Sequence, residues 1–327
     1  MSEPAQAFPA PGPEVGSSSS SHTAHRQLRR PSLDSMGLTP GKKTRLKRLL
    51  YDYGPGGGTL LVLPIDQGLE HGPADFFANP DALDPDYQFR LAREGNFSAI
   101  ALHIGLARKY FSPYAGEVPL ILKLNGKTNI PPDNQPFSAL TGTVEDAVRL
   151  GADAVGYTVY VGSPAQDRDF AQLAQVRADA DKFGMPLIVW AYPRGDAIAK
   201  KGGRDSLYAI DYAARVALEL GADIVKVNYP IPSEKDKDAP APYNTLTLSP
   251  EAAFSKVVQS AGRALVLVSG GEKIGDAELL AKVRNSMDAG ATGIIFGRNL
   301  WQRPLADALA ITRKIHALFA EYAQPVH

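Results

Sequence analysis

The chain has 327 residues, no cysteine and equal numbers of acidic and basic side chains, so its formal net charge at pH 7 is zero. This balance argues against nucleic acid or a membrane surface as the main partner. The absence of cysteine excludes disulfides and thiolate nucleophiles, and no apolar run reaches the ~20 residues of a membrane span. The sequence predicts a soluble, cytoplasmic protein, long enough for one barrel domain or two smaller domains.

The first 40 residues differ in composition from the rest of the chain. Four prolines precede the serine run Ser17–Ser21, and few apolar residues interrupt them. Such a segment buries too little apolar surface to fold alone, so residues 1–40 are predicted to be a disordered tail and residues 41–327 the folded domain. The basic stretch Lys42–Leu50 predicts a short amphipathic helix with its leucines packed on the domain, and binding of a polyanion is the alternative.

From residue 60 onward, short apolar runs alternate with longer helical stretches. Continuous apolar runs are typical of parallel strands covered by helices. The pattern predicts an α/β fold, a (β/α)8 TIM barrel. A doubly wound open sheet is the alternative, but no dinucleotide-binding fingerprint supports it. The predicted strands are Leu60–Asp66, Ser98–Ile104, Pro119–Asn125, Ala154–Tyr160, Pro186–Tyr192, Asp223–Tyr229, Ala264–Ser269 and Thr292–Arg298.

Two motifs echo nucleotide-binding loops but fail in detail. Gly54–Thr59 precedes a strand, whereas a phosphate-binding loop follows a strand and opens a helix. Asn125–Thr128 ends like a Walker A motif but lacks the glycine five residues before Gly126. The sequence therefore does not predict an ATPase.

Alternation along each strand decides which side chains point into the barrel. In strand six, Lys226 shares a face with Ile224 and Asn228, while Val225 and Val227 suit contact with the outer helices. Lys226 is therefore predicted to point inward, near the strand ends where barrel enzymes place their catalytic residues. The same alternation points Asp66 inward from strand one, Lys123 from strand three, and Trp190 and Tyr192 from strand five.

A lysine in such a place has a nucleophilic and a structural interpretation. Desolvation lowers the pKa of a buried lysine, and a second cation such as Lys123 lowers it further. A neutral amine attacks ketones and aldehydes to form a Schiff base, which is an electron sink for carbon–carbon cleavage. In the structural interpretation, Lys226 forms a buried ion pair with Asp66. The strand pattern alone does not separate the two.

The ends of strands seven and eight indicate a phosphate site. Strand seven ends in Ser269, Gly270 and Gly271, and Gly297 and Arg298 stand at the end of strand eight. Loops at these positions of a barrel frequently bind phosphate through backbone N–H groups, and Arg298 adds a fixed charge with several donors. The predicted substrate is therefore a phosphorylated small molecule.

Metal binding fits the sequence poorly. Of the six histidines, His71 and His103 follow strands that would bring them to the site. Two histidines and an aspartate could hold a metal ion, but no closely spaced ligand motif supports this. No metal is predicted, and His71 is instead predicted to contact the substrate. The long loop Ile231–Pro250 after strand six is a candidate for a mobile lid.

Several motifs follow one another along the chain: DQGLEHGP at Asp66–Pro73, WAYPRG at Trp190–Gly195, DIVKVNYP at Asp223–Pro230, SGG at Ser269–Gly271 and GATGIIFGRN at Gly290–Asn299. Together they resemble the archaeal-type class I fructose-bisphosphate aldolases, a family that includes related Schiff-base barrel aldolases and thiolases. Each motif alone is modest, but the set in this order is specific. The resemblance implies reversible cleavage of fructose 1,6-bisphosphate to dihydroxyacetone phosphate and glyceraldehyde 3-phosphate.

The resemblance also implies roles for single residues. Lys226 would form the imine, Tyr192 would act as general acid and base, and Asp66 would assist imine formation and orient the substrate. The substrate-binding positions would be Trp190, His71, Lys123, Ser269, Gly270, Gly271, Gly297 and Arg298. The family further implies that no cofactor is used beyond the covalent imine, and that the chain forms a homo-oligomer, often a decamer.

Two alternatives stay open at this point. The first is another Schiff-base reaction on a phosphorylated sugar, such as the synthesis of an aminodideoxyheptulosonate or a thiolase reaction, because substrate choice depends on the loops. The second is a barrel that binds a phosphosugar without catalysis. The presence of Lys226, Tyr192 and Asp66 together argues against the second alternative.

Overall fold

The computed structural model describes residues 30–325. Eight parallel strands form the barrel: β1 Leu60–Pro64, β2 Ala99–His103, β3 Leu120–Lys123, β4 Ala154–Val161, β5 Leu187–Pro193, β6 Ile224–Val227, β7 Leu265–Ser269 and β8 Gly293–Ile295. They close in the order β1-β8-β7-β6-β5-β4-β3-β2, which confirms the predicted (β/α)8 architecture. Each strand overlaps a predicted apolar run, and β4 and β5 extend one residue beyond it.

Helices connect the strands and cover the outside of the barrel. The α-helices are α1 Pro40–Lys47, α2 Gln67–Glu70, α3 Pro85–Glu94, α4 Ile104–Tyr110, α5 Val144–Arg149, α6 Gln166–Lys182, α7 Asp196–Ala199, α8 Leu207–Glu219, α9 Pro250–Ser260, α10 Asp276–Asp288, α11 Arg298–Trp301 and α12 Leu305–Ala320. A π-helix, Arg48–Asp52, continues α1, and 3-10 helices form at Leu33–Ser35, Pro73–Ala78, Pro80–Leu83, Ser112–Tyr114, Glu234–Asp238 and Tyr243–Thr245. A short antiparallel pair joins Asn125–Gly126 to Ala139–Leu140. Within the described residues, no helix has the length and apolar character needed to cross a membrane.

Two apolar clusters separate the inside of the barrel from its outside. Val225 and Val227 belong to the cluster between the strands and the helices. Ile224 and Trp190 belong to the cluster inside the barrel. Because successive side chains of a strand alternate between faces, Lys226 points into the barrel, as the sequence predicts.

Helix α1 and the π-helix that continues it close the end of the barrel where the strands begin. Leu46, Leu49 and Leu50 are buried in the inner cluster, so the basic stretch packs its leucines on the domain. Lys42 Nζ of α1 lies 2.9 Å from a side-chain oxygen of Asp223, the residue just before β6. The basic face of α1 therefore takes part in ion pairing within the chain.

Residues 30–40 differ from the prediction of a disordered tail. Arg30 is buried, and its guanidinium donates to the backbone carbonyl of Gly58 at 2.8 Å. Leu33 is 3% exposed and belongs to the cluster inside the barrel. A single arginine and a single leucine in a polar segment give no periodic signal, so the sequence does not reveal these anchors. Residues 1–29, the rest of the predicted tail, lie outside the described residues.

The loop after β6 is anchored near its middle. Tyr243 Oη donates to Asp211 Oδ2 of α8 at 2.5 Å, and Lys256 Nζ of α9 lies 3.0 Å from the same oxygen. Ile231, at the start of the loop, lines the central cavity described below. Any movement of this candidate lid over the cavity is therefore limited by the contact at Tyr243.

Candidate active site

A cavity of about 740 Å³ opens at the end of the barrel where the strands finish. Catalytic residues of barrel enzymes lie at this end. All the predicted site residues except Trp190 and Lys123 line the cavity. Trp190 and Lys123 lie deeper in the barrel, with 1% and 0% exposure. Side chains from separate stretches of the sequence thus meet in one place.

Lys226, on β6, is the central side chain of this site. It is 7% exposed, and its Nζ donates to Tyr192 Oη. The same Nζ lies 5.5 Å from the ring centroid of Trp190. Among the described residues, no carboxylate forms an ion pair with Lys226, because Asp66 pairs with Lys123 instead. The structural interpretation of Lys226 as the ion-pair partner of Asp66 is therefore wrong.

The protonation of Lys226 follows from its burial. Desolvation is the largest cause and lowers the pKa of Lys226 to about 8. The charges of Asp66 and Glu70 act to raise this pKa, and the charge of Lys123 acts to lower it. At a pKa near 8, roughly a tenth of the amine is neutral at pH 7. A neutral amine that borders an open cavity is what imine formation requires.

Lys123, on β3, has the opposite surroundings. Its Nζ lies 3.1 Å from Glu70 Oε1 and 3.7 Å from Asp66 Oδ2. Burial acts to lower the pKa of Lys123, but the charges of Glu70 and Asp66 outweigh it and raise the pKa. Lys123 therefore stays a cation, while Lys226 loses its proton more easily.

The pKa values of the two carboxylates beside Lys123 shift in opposite directions. Burial and the charge of Glu70 raise the pKa of Asp66. Burial also acts to raise the pKa of Glu70, but the charges of Lys123 and Lys226 outweigh it and lower the pKa. Sequence reasoning misses Glu70, although it stands in the same motif as Asp66 and four residues later, a spacing that brings side chains together in a helical turn.

Tyr192 projects from β5 towards Lys226. Burial raises the pKa of Tyr192 well above its usual value, and the negative charges of Glu70 and Asp66 raise it further. The guanidinium of Arg194 lies 5.2 Å from the centroid of its ring. The phenol is therefore protonated in the resting site, where it can give a proton to a leaving group.

Trp190 belongs to the apolar cluster inside the barrel and lies close to the ammonium groups of both lysines. Lys123 Nζ is 5.2 Å from its ring centroid, which is within range of a cation–π contact. Gly156 on β4 makes room for the indole, because a Cβ at this position would lie 2.5 Å from the Trp190 ring. Sequence reasoning misses Gly156, since a glycine inside an apolar strand gives no sign of what packs against it.

The glycine turn after β7 lines the cavity beside Lys226, and only part of it can offer backbone N–H groups. The N–H of Gly271 has no protein acceptor within residues 30–325, whereas the N–H of Gly270 donates to the carbonyl of Ile295 at 3.2 Å. Ser269 Oγ donates to the side chain of Asn228 at 2.7 Å. Gly271 is therefore free to bind an anion, while the N–H of Gly270 is occupied by the neighbouring strand.

Arg298 and His71 are connected through a carboxylate that sequence reasoning misses. Arg298 Nε lies 3.9 Å from Asp75 Oδ2, and His71 Nδ1 lies 2.9 Å from the same oxygen. Gly297 stands immediately before Arg298, at the start of α11. Asp75 thus forms a hydrogen bond with His71 and lies within ion-pair distance of Arg298, two of the predicted substrate-binding side chains.

Further cations line the side of the cavity formed by the loops after β3 and β5. Lys127 Nζ lies 2.8 Å and Arg194 Nε 3.6 Å from side-chain oxygens of Asp133. Arg204 also lines the cavity. These cations belong to the β5 side of the cavity, and Arg298 lies on its other side, after β8. Arg194 belongs to the motif WAYPRG, which was the signal available for it.

The histidines near the site do not gather with other metal ligands. Within residues 30–325, no group of three or more histidine, aspartate or glutamate side chains is arranged to hold a metal ion. Burial lowers the pKa of His103 to about 4, and the charge of Lys123 adds to this shift. His103 is therefore neutral at physiological pH.

The sequence profile of the DeoC/LacD family aldolases matches residues 60–303, from β1 to beyond α11. The chain belongs to this family. The class 1 fructose-bisphosphate aldolase of Thermoproteus tenax is 44% identical over 262 residues, which make up 80% of this chain and 89% of that protein. The 2-amino-3,7-dideoxy-D-threo-hept-6-ulosonate synthase of Halobacterium salinarum is 33% identical over 285 residues, 87% of this chain and 94% of that protein.

A solved structure similar to this DeoC/LacD family member is that of an archaeal fructose-1,6-bisphosphate aldolase, whose catalytic lysine is covalently bound to the carbinolamine intermediate of the substrate. The two chains are 40% identical and superpose with a TM-score of 0.71, and the match covers 84% of this chain and 98% of the other. The predicted resemblance to the archaeal class I aldolases is thereby confirmed.

Proposed function

We propose that the protein is a class I fructose-bisphosphate aldolase, which cleaves fructose 1,6-bisphosphate reversibly to dihydroxyacetone phosphate and glyceraldehyde 3-phosphate. The observation that carries the proposal is the state of Lys226, a buried lysine with a lowered pKa that contacts Tyr192 and borders the cavity. The carbinolamine on the lysine of the archaeal relative supports the same chemistry here.

The first half of the reaction forms the imine. The neutral amine of Lys226 attacks the C2 ketone and gives a carbinolamine. Tyr192, which is protonated at rest because of its raised pKa, donates its proton to the carbinolamine hydroxyl as that group leaves as water. The products of this step are a protonated imine and a phenolate, and the positive imine beside the phenolate stabilises both.

The second half breaks the carbon–carbon bond. The Tyr192 phenolate takes the proton of the C4 hydroxyl, the C3–C4 bond breaks, and its electron pair moves into an enamine on Lys226. Glyceraldehyde 3-phosphate leaves, and Tyr192 returns its proton to C3. Water then adds to the imine and releases dihydroxyacetone phosphate. Asp66, which lines the cavity, would orient the sugar hydroxyls, and Lys123, paired with it at 3.7 Å below the cavity, would hold that carboxylate in place.

The charges around Lys226 suit a substrate with a phosphate at each end. Arg298 and the free N–H of Gly271 lie on the side of β7 and β8, and Arg194 and Arg204 on the side of β5. A sugar attached to Lys226 through C2 has its two phosphates on opposite sides of the imine. This arrangement favours a bisphosphate over a monophosphate substrate.

The resemblance supports three further features of the proposal: a homo-oligomeric assembly, often a decamer in this family, a cytoplasmic location, and a place in glycolysis and gluconeogenesis. The mass of the particle in sedimentation velocity tests the first of these. A monomer at micromolar concentration would contradict it.

The direct test is a coupled assay that follows dihydroxyacetone phosphate released from fructose 1,6-bisphosphate in the presence of excess chelator. We expect turnover that the chelator does not reduce, and its loss in Lys226→Met. Lys109→Met is a matched control, because Lys109 is an exposed lysine of α4 away from the cavity. Binding of the substrate without turnover, or turnover of a different phosphosugar alone, would contradict the proposal.

A further inference from the structure

Lys282, on α10, is a cation of the cavity wall that the mechanism above does not use. It lines the cavity together with Gly270, Gly271 and Arg298. Its Nζ donates to the carbonyl of Gly270 at 3.0 Å and would lie 3.8 Å from a Cβ built on Gly271. The ammonium group therefore lies directly at the glycine turn after β7, although it comes from a helix rather than from the loop.

The charge of Lys282 is only weakly compensated by the protein. Its one hydrogen-bond partner among the described residues is the neutral carbonyl of Gly270. Burial lowers the pKa of Lys282, and the charge of Glu278 offsets this shift only in part. An ammonium has three N–H donors, so donors remain for a ligand. A desolvated cation is unfavourable unless an opposite charge approaches it, and an anion in the cavity would supply that charge.

We infer that Lys282 is a substrate-binding residue that contacts the phosphate next to the imine carbon, together with Arg298 and the N–H of Gly271. The inference rests on the proposed function and deepens it, because it assigns the ligand as a three-carbon ketose phosphate held on Lys226. Strands β6 and β7 are neighbours in the barrel, so an imine on Lys226 and a phosphate at Gly271 occupy adjacent strands. Lys282 then distinguishes a phosphorylated ketone from an unphosphorylated one.

The test measures borohydride trapping on Lys226 by mass spectrometry, as a function of ketone concentration. The two probes are dihydroxyacetone phosphate and dihydroxyacetone, which differ only in the phosphate. Lys282→Gln keeps a donor for the Gly270 carbonyl but removes the charge, and Lys282→Met removes both. Lys273→Met is the matched control, because the exposed Lys273 follows the same turn, donates to the carbonyl of Gln302 at 3.1 Å and does not line the cavity.

We expect Lys282→Gln and Lys282→Met to raise the half-saturating concentration of dihydroxyacetone phosphate about tenfold or more, which is the scale of a lost hydrogen bond to a charged group. The half-saturating concentration of dihydroxyacetone should stay within about twofold in both variants, as it should for both ketones in Lys273→Met, since no phosphate contact is lost. Lys282→Arg should retain most of the preference for the phosphate.

Two results would overturn the inference. If Lys282→Gln binds dihydroxyacetone phosphate as tightly as the unaltered protein, the charge is not used. If both ketones weaken equally, Lys282 only supports the loop. Failure of the unaltered protein to trap either ketone on Lys226 would overturn the proposed function itself and, with it, this assignment.

Discussion

The two buried lysines of the site, Lys123 and Lys226, show how the groups around a side chain set its pKa. Desolvation lowers the pKa of any buried lysine, and a neighbouring carboxylate raises it. For Lys123 the carboxylates of Glu70 and Asp66 win and the pKa rises. For Lys226, which has no paired carboxylate among the described residues, desolvation wins and the pKa falls to about 8. One residue type thus supplies both a permanent cation and, in the proposed mechanism, the nucleophile.

Tyr192 is the residue whose chemical role separates most cleanly from binding. Tyr192→Phe keeps the ring but removes the hydroxyl that contacts Lys226. We expect the turnover number to fall by about 10² to 10⁴, the usual contribution of a general acid or base, while an imine on Lys226 can still be trapped, more slowly because Tyr192 also assists the loss of water from the carbinolamine. The measurement is steady-state cleavage of fructose 1,6-bisphosphate beside borohydride trapping of the same variant. Unchanged turnover would remove Tyr192 from the mechanism.

The pH dependence of imine formation reports the pKa of Lys226. Because only the neutral amine attacks, the trapping rate should rise with pH and reach half of its maximum near pH 8. The charge of Glu70 favours the ammonium form and so raises the pKa of Lys226. In Glu70→Gln this effect is lost, the pKa of Lys226 falls, and we expect the midpoint to move to lower pH.

The control for this experiment is Glu94→Gln, a change at an α3 carboxylate that pairs with Arg90 and does not line the cavity. Its midpoint should match that of the unaltered protein. A midpoint in Glu70→Gln that stays in place or moves to higher pH would show that Glu70 does not act on the charge of Lys226.

At the scale of elements, every strand of the barrel can be located from a continuous apolar run. A parallel strand buried on both faces is apolar along its length, so its own sequence is enough to recognise it. The segment before β1 is different. Arg30 and Leu33 are anchored by groups far along the chain, such as the carbonyl of Gly58, and a local pattern contains no record of such contacts. Residues 30–40 therefore differ from the predicted tail, because contacts with distant parts of the chain anchor them.

Helix α1, in the segment before β1, yields a prediction about the free energy of unfolding. Lys42 of α1 is buried and its Nζ lies 2.9 Å from Asp223 and 2.7 Å from Asp181. Lys42→Met leaves the buried Asp223 carboxylate without its cation. We expect the free energy of unfolding to fall by about 2 kcal/mol, less than for a fully buried pair because Asp181 is half exposed. The measurement is equilibrium denaturation by urea.

Lys43→Met is the matched control on the next residue of α1. Lys43 pairs with Asp34, and both side chains are about half exposed. Because exposed ion pairs contribute little, we expect a change below about 1 kcal/mol. Equal losses in Lys42→Met and Lys43→Met would show that the buried pair with Asp223 does not fasten α1 to the barrel.

For the molecule as a whole, the barrel topology brings distant motifs to one cavity. Strand alternation was enough to point Asp66, Lys123 and Lys226 inward. It could not reveal Glu70 or Lys282, because both belong to helices, and their nearness to the site depends on how those helices pack on the barrel. Sequence reasoning therefore predicted the strand-borne part of the site and missed most of the part that supports it.

The central claim is that Lys226 forms a covalent imine with the substrate. The most direct measurement is borohydride reduction in the presence of fructose 1,6-bisphosphate, followed by peptide mapping of the modified lysine. We expect a single added mass on the peptide that contains Lys226, and no such mass when substrate is omitted. The absence of an adduct, or an adduct on Lys123 in place of Lys226, would contradict the claim.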